Sequence, residues 1–107
     1  MYKVTENKLS KCFEKINQEV FDGLLAFEDI DSVEVEFLDT EWGYCVDEDG
    51  EIVLGMTDEF PTKADFMNTL AHEMIHLFQI MNSLKVNHGV AFERIAQHAR
   101  PFGYIAH

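Results

Sequence analysis

His72-Glu73-Met74-Ile75-His76, followed further along by Asn87-His88-Gly89-Val90-Ala91-Phe92, is the stretch on which the reading of this chain turns. On an α-helix, positions i and i+4 are separated by roughly 6 Å of rise and about 40° of rotation, so His72 and His76 project from one face. Both imidazoles can reach a single ion at about 2.0–2.1 Å. His88, beside Gly89 where the chain can fold back, supplies a third nitrogen. Three protein ligands leave the fourth tetrahedral position to water, which separates catalytic from structural zinc. Glu73 points to one side of the pair. It can be read as a fourth ligand, but its place next to His72 makes a general acid/base role more natural.

The surrounding helix strengthens the metal reading. From about Lys63 to Met81, Phe66, Met67, Leu70, Ala71, Met74, Ile75, Leu77, Phe78, Ile80 and Met81 leave hardly any polar side, so this helix belongs in the middle of the domain. Two histidines and a glutamate inside such a helix are expensive unless paired or metal-bound. Thr62 with Asp65 resembles a capping box that opens the helix after Pro61. Residues 82–87 end it, and a last helix is expected from about His88 to Ala99, closed by Pro101 and Gly103.

Upstream, Leu9, Phe13, Ile16, Val20 and Leu24 recur at spacings of three and four. They predict an amphipathic helix from about Thr5 to Leu24. Val33, Val35 and Phe37 alternate with Glu34 and Glu36 as a half-buried strand. A second extended piece runs from Trp42 to Val46. Asp49-Gly50 is a tight-turn signal, and residues 51–56 return as the partner strand. The expected fold class is α+β: an N-terminal helix, a short three-stranded antiparallel sheet, the buried motif-bearing helix and a C-terminal helix. A single domain spanning residues 1–107 is expected at this length.

Composition narrows the function classes. With 47% hydrophobic residues and nine Phe, the chain packs a core. No apolar run approaches the length of a membrane span, and the charged N-terminus lacks the apolar centre of a secretory signal. Cys12 and Cys45 are too few for a disulfide framework and read as small buried hydrophobes, so a cytoplasmic protein is expected. The net charge of −12 is concentrated in the middle third: residues 28–65 hold fourteen acids against Lys63 alone. This is either a solvated face or a negative field that repels phosphate and attracts a basic polypeptide. With no basic stripe to release counterions, strong direct DNA binding is not expected.

Other candidates read as ordinary positions. His98 and the terminal His107 are surface or tail residues, and Glu93 is a surface acid with a conceivable supporting role. Tyr44 and Tyr104 have phenols suited to an oxyanion, but each reads as packing.

The string Thr69-Leu-Ala-His-Glu-Met-Ile-His76 with Asn87-His-Gly-Val-Ala-Phe92 closely resembles the SprT-like zinc metallopeptidases, which include the Spartan proteases that degrade DNA–protein crosslinks. Gly43-Tyr-Cys45 and Ile52-Val-Leu54 occupy the place of that family's strand pair. The similarity runs over roughly residues 5–100. It implies a small zincin-like fold, with His72, His76 and His88 as ligands of Zn2+ and Glu73 as catalytic acid/base. Gln79 and Asn82 stand where the metzincins require a glycine and a third histidine. Many SprT-like proteins add a basic zinc ribbon; neither ribbon cysteines nor a basic tail is present, and a minimal form of the protease is expected. The implied partner is a protein or peptide substrate, with basic segments favoured by the charge. A reading from another class is an acidic DNA mimic or binding module with a structural zinc and no catalysis. Zinc-dependent hydrolysis of a bond other than a peptide is a third.

Overall fold

Leu9, Phe13, Ile16 and Val20 form one buried stripe on helix α1 (Glu6–Val20). Thr5 caps it, its Oγ1 accepting from the Lys8 N–H at 3.2 Å. The structure, a computed structural model, describes residues 1–106; His107 lies outside them. α1 stops short of the expected Leu24. Asp22 and Gly23 take positive φ, 53° and 74°. The buried Asn17 holds the reversal, its Oδ1 accepting from the Leu25 N–H at 3.0 Å and its Nδ2 donating to the Leu25 carbonyl at 2.6 Å. A side chain that satisfies the backbone in this way competes with helix continuation. Leu24 is therefore turned out, 74% exposed, and Leu25 takes the buried place.

The sheet departs from the expected antiparallel arrangement. Strands β2 (Ser32–Val35), β3 (Gly43–Glu48) and β4 (Glu51–Met56) lie in the order β2-β4-β3. β3 and β4 form the predicted antiparallel hairpin, from Gly43 opposite Met56 to Glu48 opposite Glu51. Its turn uses positive φ at Asp49 and Gly50, as a type I′ turn demands. β2, however, runs parallel to β4 with Ser32 opposite Val53 and Val35 opposite Met56. The reason is burial. Val53, Leu54, Gly55 and Met56 are all buried, so β4 takes the centre, where both edges are paired. Residues 36–42 must then pass the end of β4. The Glu36 N–H donates to the Met56 carbonyl at 3.2 Å, and the Thr57 N–H donates to the Trp42 carbonyl at 2.9 Å. A second, two-stranded sheet, not anticipated from the sequence, pairs β1 (Tyr2–Lys3) with β5 (Glu59–Phe60) in antiparallel register.

Helix α2 (Lys63–Met81) starts at the expected cap: Thr62 Oγ1 accepts from the Asp65 N–H at 3.1 Å and donates to its carboxylate at 2.9 Å. It packs against β3, α1 and helix α3 (Val90–Ala99), and buries Phe66, Leu70, Met74, Ile75 and Leu77 almost completely. α3 begins two positions later than predicted, with Gly89 in extended backbone as its N-cap, so His88 precedes the helix. The Asn87 side chain accounts for this: its Oδ1 accepts from the Gly89 N–H at 3.0 Å, an Asx-type turn that holds His88 out of helical geometry. The overall architecture is α+β, as expected, with a mixed rather than antiparallel main sheet. Among the described residues, no helix is long and apolar enough to cross a membrane.

Glu34, Gly55 and Tyr44 sit side by side across the three strands. The Tyr44 ring crosses over the glycine, and its hydroxyl donates to the Glu34 carboxylate. A methyl group on Gly55 would lie 2.2 Å from two Tyr44 ring carbons. Gly55→Ala is expected to destabilise the protein by roughly 1–3 kcal/mol through overpacking. Adding Tyr44→Ala should remove most of that increment. Urea denaturation of the two single variants and the double variant checks this, and strictly additive effects would contradict it.

Candidate metal centre

The spacing of His72 and His76 on α2 places both rings on one face, and the Asx turn at Asn87 brings His88 to meet them. The three Nε2 atoms form a nearly equilateral triangle: 3.2 Å from His72 to His76, 3.1 Å from His76 to His88 and 3.2 Å from His88 to His72. His76 is buried, His72 half-buried and His88 exposed, so the triangle is open on one side. Beneath it lies Phe92, with no exposed surface, its ring 5.0, 5.2 and 4.7 Å from those of His72, His76 and His88. The triangle rests on an apolar floor.

Hydrogen bonds alone cannot satisfy this arrangement. Each Nε2 carries either a proton or a lone pair, so in any triangle at least one edge joins two like groups. A cation accepting all three lone pairs removes the conflict. Tetrahedral ligands at about 2.0–2.1 Å from zinc are themselves about 3.3–3.4 Å apart, close to the distances observed. The donor set thus fits a divalent ion of zinc's size and preference for imidazole, and these three histidines are the cluster that could hold it.

Behind the triangle stands Gln79, fully buried. Its Oε1 lies 2.9 Å from His76 Nδ1, and its Nε2 donates to the Asn87 carbonyl at 3.1 Å. Burial holds the His76 pKa below the usual imidazole value, with the Gln79 hydrogen bond opposing and the His88 charge adding to it. Sequence reasoning used Gln79 only to set aside one class of metalloprotease. The signal was present, since it is a polar residue three positions after His76 on an otherwise apolar helix.

Glu73 is buried, and burial pushes its carboxyl up to about 7, with the charge of Glu41 adding to the effect. The buried Cys45 thiol is likewise raised by desolvation, to about 12, with Glu73 contributing. His72, Glu73 and Gly43 all border two adjoining clefts. One, of about 340 Å³, extends past Trp42, Asp65, Asn68, Thr69 and Ile105. The other, of about 300 Å³, runs along β3 to Val46 and out to Val86. β3 is an edge strand, paired only with β4, and it contributes residues to the lining of both clefts beside α2. Gly43 permits this approach: a Cβ there would meet the Gly55 carbonyl at 3.1 Å and Thr69 Cγ2 at 3.2 Å.

Of the remaining candidates, Tyr44 also lines the second cleft, whereas Tyr104, His98 and Glu93 line neither. The Tyr44 phenol, raised to about 12 chiefly by its hydrogen bond to Glu34, is engaged on the sheet. Tyr104 is buried, its hydroxyl donating to Glu19 and accepting from Lys15 Nζ at 3.1 Å. His98 packs against Phe102 at the end of α3, and Glu93 is exposed in its first turn.

The sequence pattern of the SprT-like family matches residues 9–104. The chain belongs to the SprT-like family. That family is associated with zincin-like metallopeptidases, and the match takes in most of α1, the main sheet, the His72–His76 helix and His88. No curated protein matches the chain.

The buried Glu73 of this SprT-like chain has a measurable cost. Its folded pKa lies above that of a free carboxyl, so the fold binds the proton more tightly than the unfolded chain does. The associated stability is present below about pH 4.5 and is lost as pH rises through about 7. In chelator-stripped protein, Glu73→Gln should therefore raise stability at pH 8, by on the order of 2 kcal/mol, and have little effect at pH 4. Thermal melts at the two pH values check this; a destabilising effect at pH 8 would contradict it.

Proposed function

We propose that this SprT-like protein is a zinc-dependent endopeptidase, in which His72, His76 and His88 hold the metal and Glu73 is the catalytic acid/base. The observation that carries the reading is the convergence of three imidazole nitrogens beside a buried carboxylate, at the junction of two clefts bordered by an edge strand. Zinc, when bound, supplies Lewis acidity and lowers the pKa of water to about 7. Glu73 removes a proton from the water whose oxygen attacks the peptide carbonyl carbon. It delivers that proton to the amine nitrogen as the C–N bond breaks. Its apolar surroundings suit it to both halves of the cycle, because a carboxyl near neutrality can hold a proton as well as release one.

The free edge of β3 binds an extended segment through its backbone N–H and carbonyl groups, as in strand addition. Such recognition is largely indifferent to side chains and requires an unfolded or flexible substrate. Asp65 on the wall of the larger cleft and Glu41 near Glu73 add negative charge, so basic segments are the favoured substrates. The acidic middle third also keeps phosphate away, which places direct strong DNA binding outside this proposal.

Glu73→Gln should retain zinc at one ion per chain while lowering hydrolysis of casein or histone by at least about a hundredfold. His88→Ala should lose both. Metal analysis alongside a gel-based degradation assay reads the two outcomes. Full hydrolysis by the Glu73→Gln variant would overturn the acid/base role given to Glu73; a wild-type protein that binds zinc, degrades nothing and captures a basic partner would overturn the peptidase reading and favour the binding module. The charge component is tested separately: cleavage of a basic peptide should fall with added salt more steeply than that of a neutral one.

A further inference from the structure

Gln79 touches both of the segments that bear the three histidines at once. It lies on α2 one turn beyond His76, and it reaches across to the carbonyl of Asn87, the residue before His88. The orientation of its amide follows from chemistry. The Asn87 carbonyl can only accept, so the NH2 group must face it, and Oε1 must then face His76. Since Oε1 can only accept, His76 Nδ1 carries the ring proton. His76 Nε2 is left with its lone pair directed at the centre of the triangle. The same amide tethers the loop whose Asx turn, from Asn87 Oδ1 to the Gly89 N–H, sets the position of His88.

The geometry points to Gln79 as a positioning residue for the metal centre: it selects the metal-binding tautomer of His76 and fixes the His88 loop before any ion arrives. This rests on the metal-site half of the proposed function and not on proteolysis. The side chain does so without charge. A carboxylate there would accept from Nδ1 but would face the Asn87 carbonyl with no proton to donate. The neutral amide donates on one side and accepts on the other, so it serves both segments together.

The test is long-range 1H–15N correlation of the imidazoles in chelator-stripped protein at pH 8, paired with zinc affinity by competition against a chromophoric chelator. In the wild-type protein His76 should show the Nδ1–H tautomer. Gln79→Met, similar in volume but a far weaker acceptor and no donor, should move His76 toward Nε2–H and weaken zinc binding by roughly 10–100-fold. Gln79→Glu, which keeps an acceptor opposite Nδ1, should retain the Nδ1–H tautomer. A wild-type His76 found as Nε2–H would overturn the inference, as would a Gln79→Met variant with unchanged tautomer and zinc affinity. If Gln79→Met fails to fold, the tautomers of the wild-type and Gln79→Glu proteins still decide. Peptidase activity enters neither readout, so an inactive protein with the expected tautomers would sink the catalytic proposal alone.

Discussion

The constraint on which this structure depends is the burial of α2. A helix apolar on nearly every side must sit at the centre of the molecule, yet it carries two imidazoles and a carboxylate. Isolated, each would lose several hydrogen bonds to water on burial, at a cost of a few kcal/mol per group. The fold offsets that cost by gathering the polar groups at one place. His72 and His76 turn toward His88 and the open side of the triangle, Gln79 satisfies the far nitrogen of His76, and Phe92 seals the floor. Glu73 is left in apolar surroundings, and its raised pKa records the residual cost.

The sheet follows from the same requirement. β4, the most deeply buried strand, occupies the centre, which pushes β3 to the edge beside α2. Two glycines make that packing possible. Gly43 lets β3 approach Thr69 on α2, and Gly55 leaves room for the Tyr44 ring on the other strand. An edge strand thus comes to border the same clefts as a carboxylate and a cluster of imidazoles that lie far along the chain from it.

Much of this was legible in the sequence. The amphipathic stripe of α1, the Asp49-Gly50 hairpin, the Thr62 cap and the buried character of α2 all follow from local patterns, and so did the grouping of His72 and His76. The misses have one cause. Where a residue's place is decided by a partner distant in sequence, periodicity carries no information about it. Leu24 continues the helical stripe but is turned out by Asn17, whose side chain captures Leu25. β2 was expected as part of a wholly antiparallel three-stranded sheet. Its actual partner is the more buried β4, reached past β3.

By itself the sequence determined the chemistry on offer: which nitrogens, which carboxylate, and that a helix would present two of the nitrogens together. These depend on residue identity and on spacings within a turn or two of helix, which backbone geometry converts directly into direction. Tertiary structure alone decided that His88 stands before α3 and completes the triangle, that Gln79 links α2 to the loop before α3, and that β3 rather than β4 borders the clefts. Those outcomes rest on long-range packing, where competition among buried surfaces selects one arrangement from several that the local patterns allow.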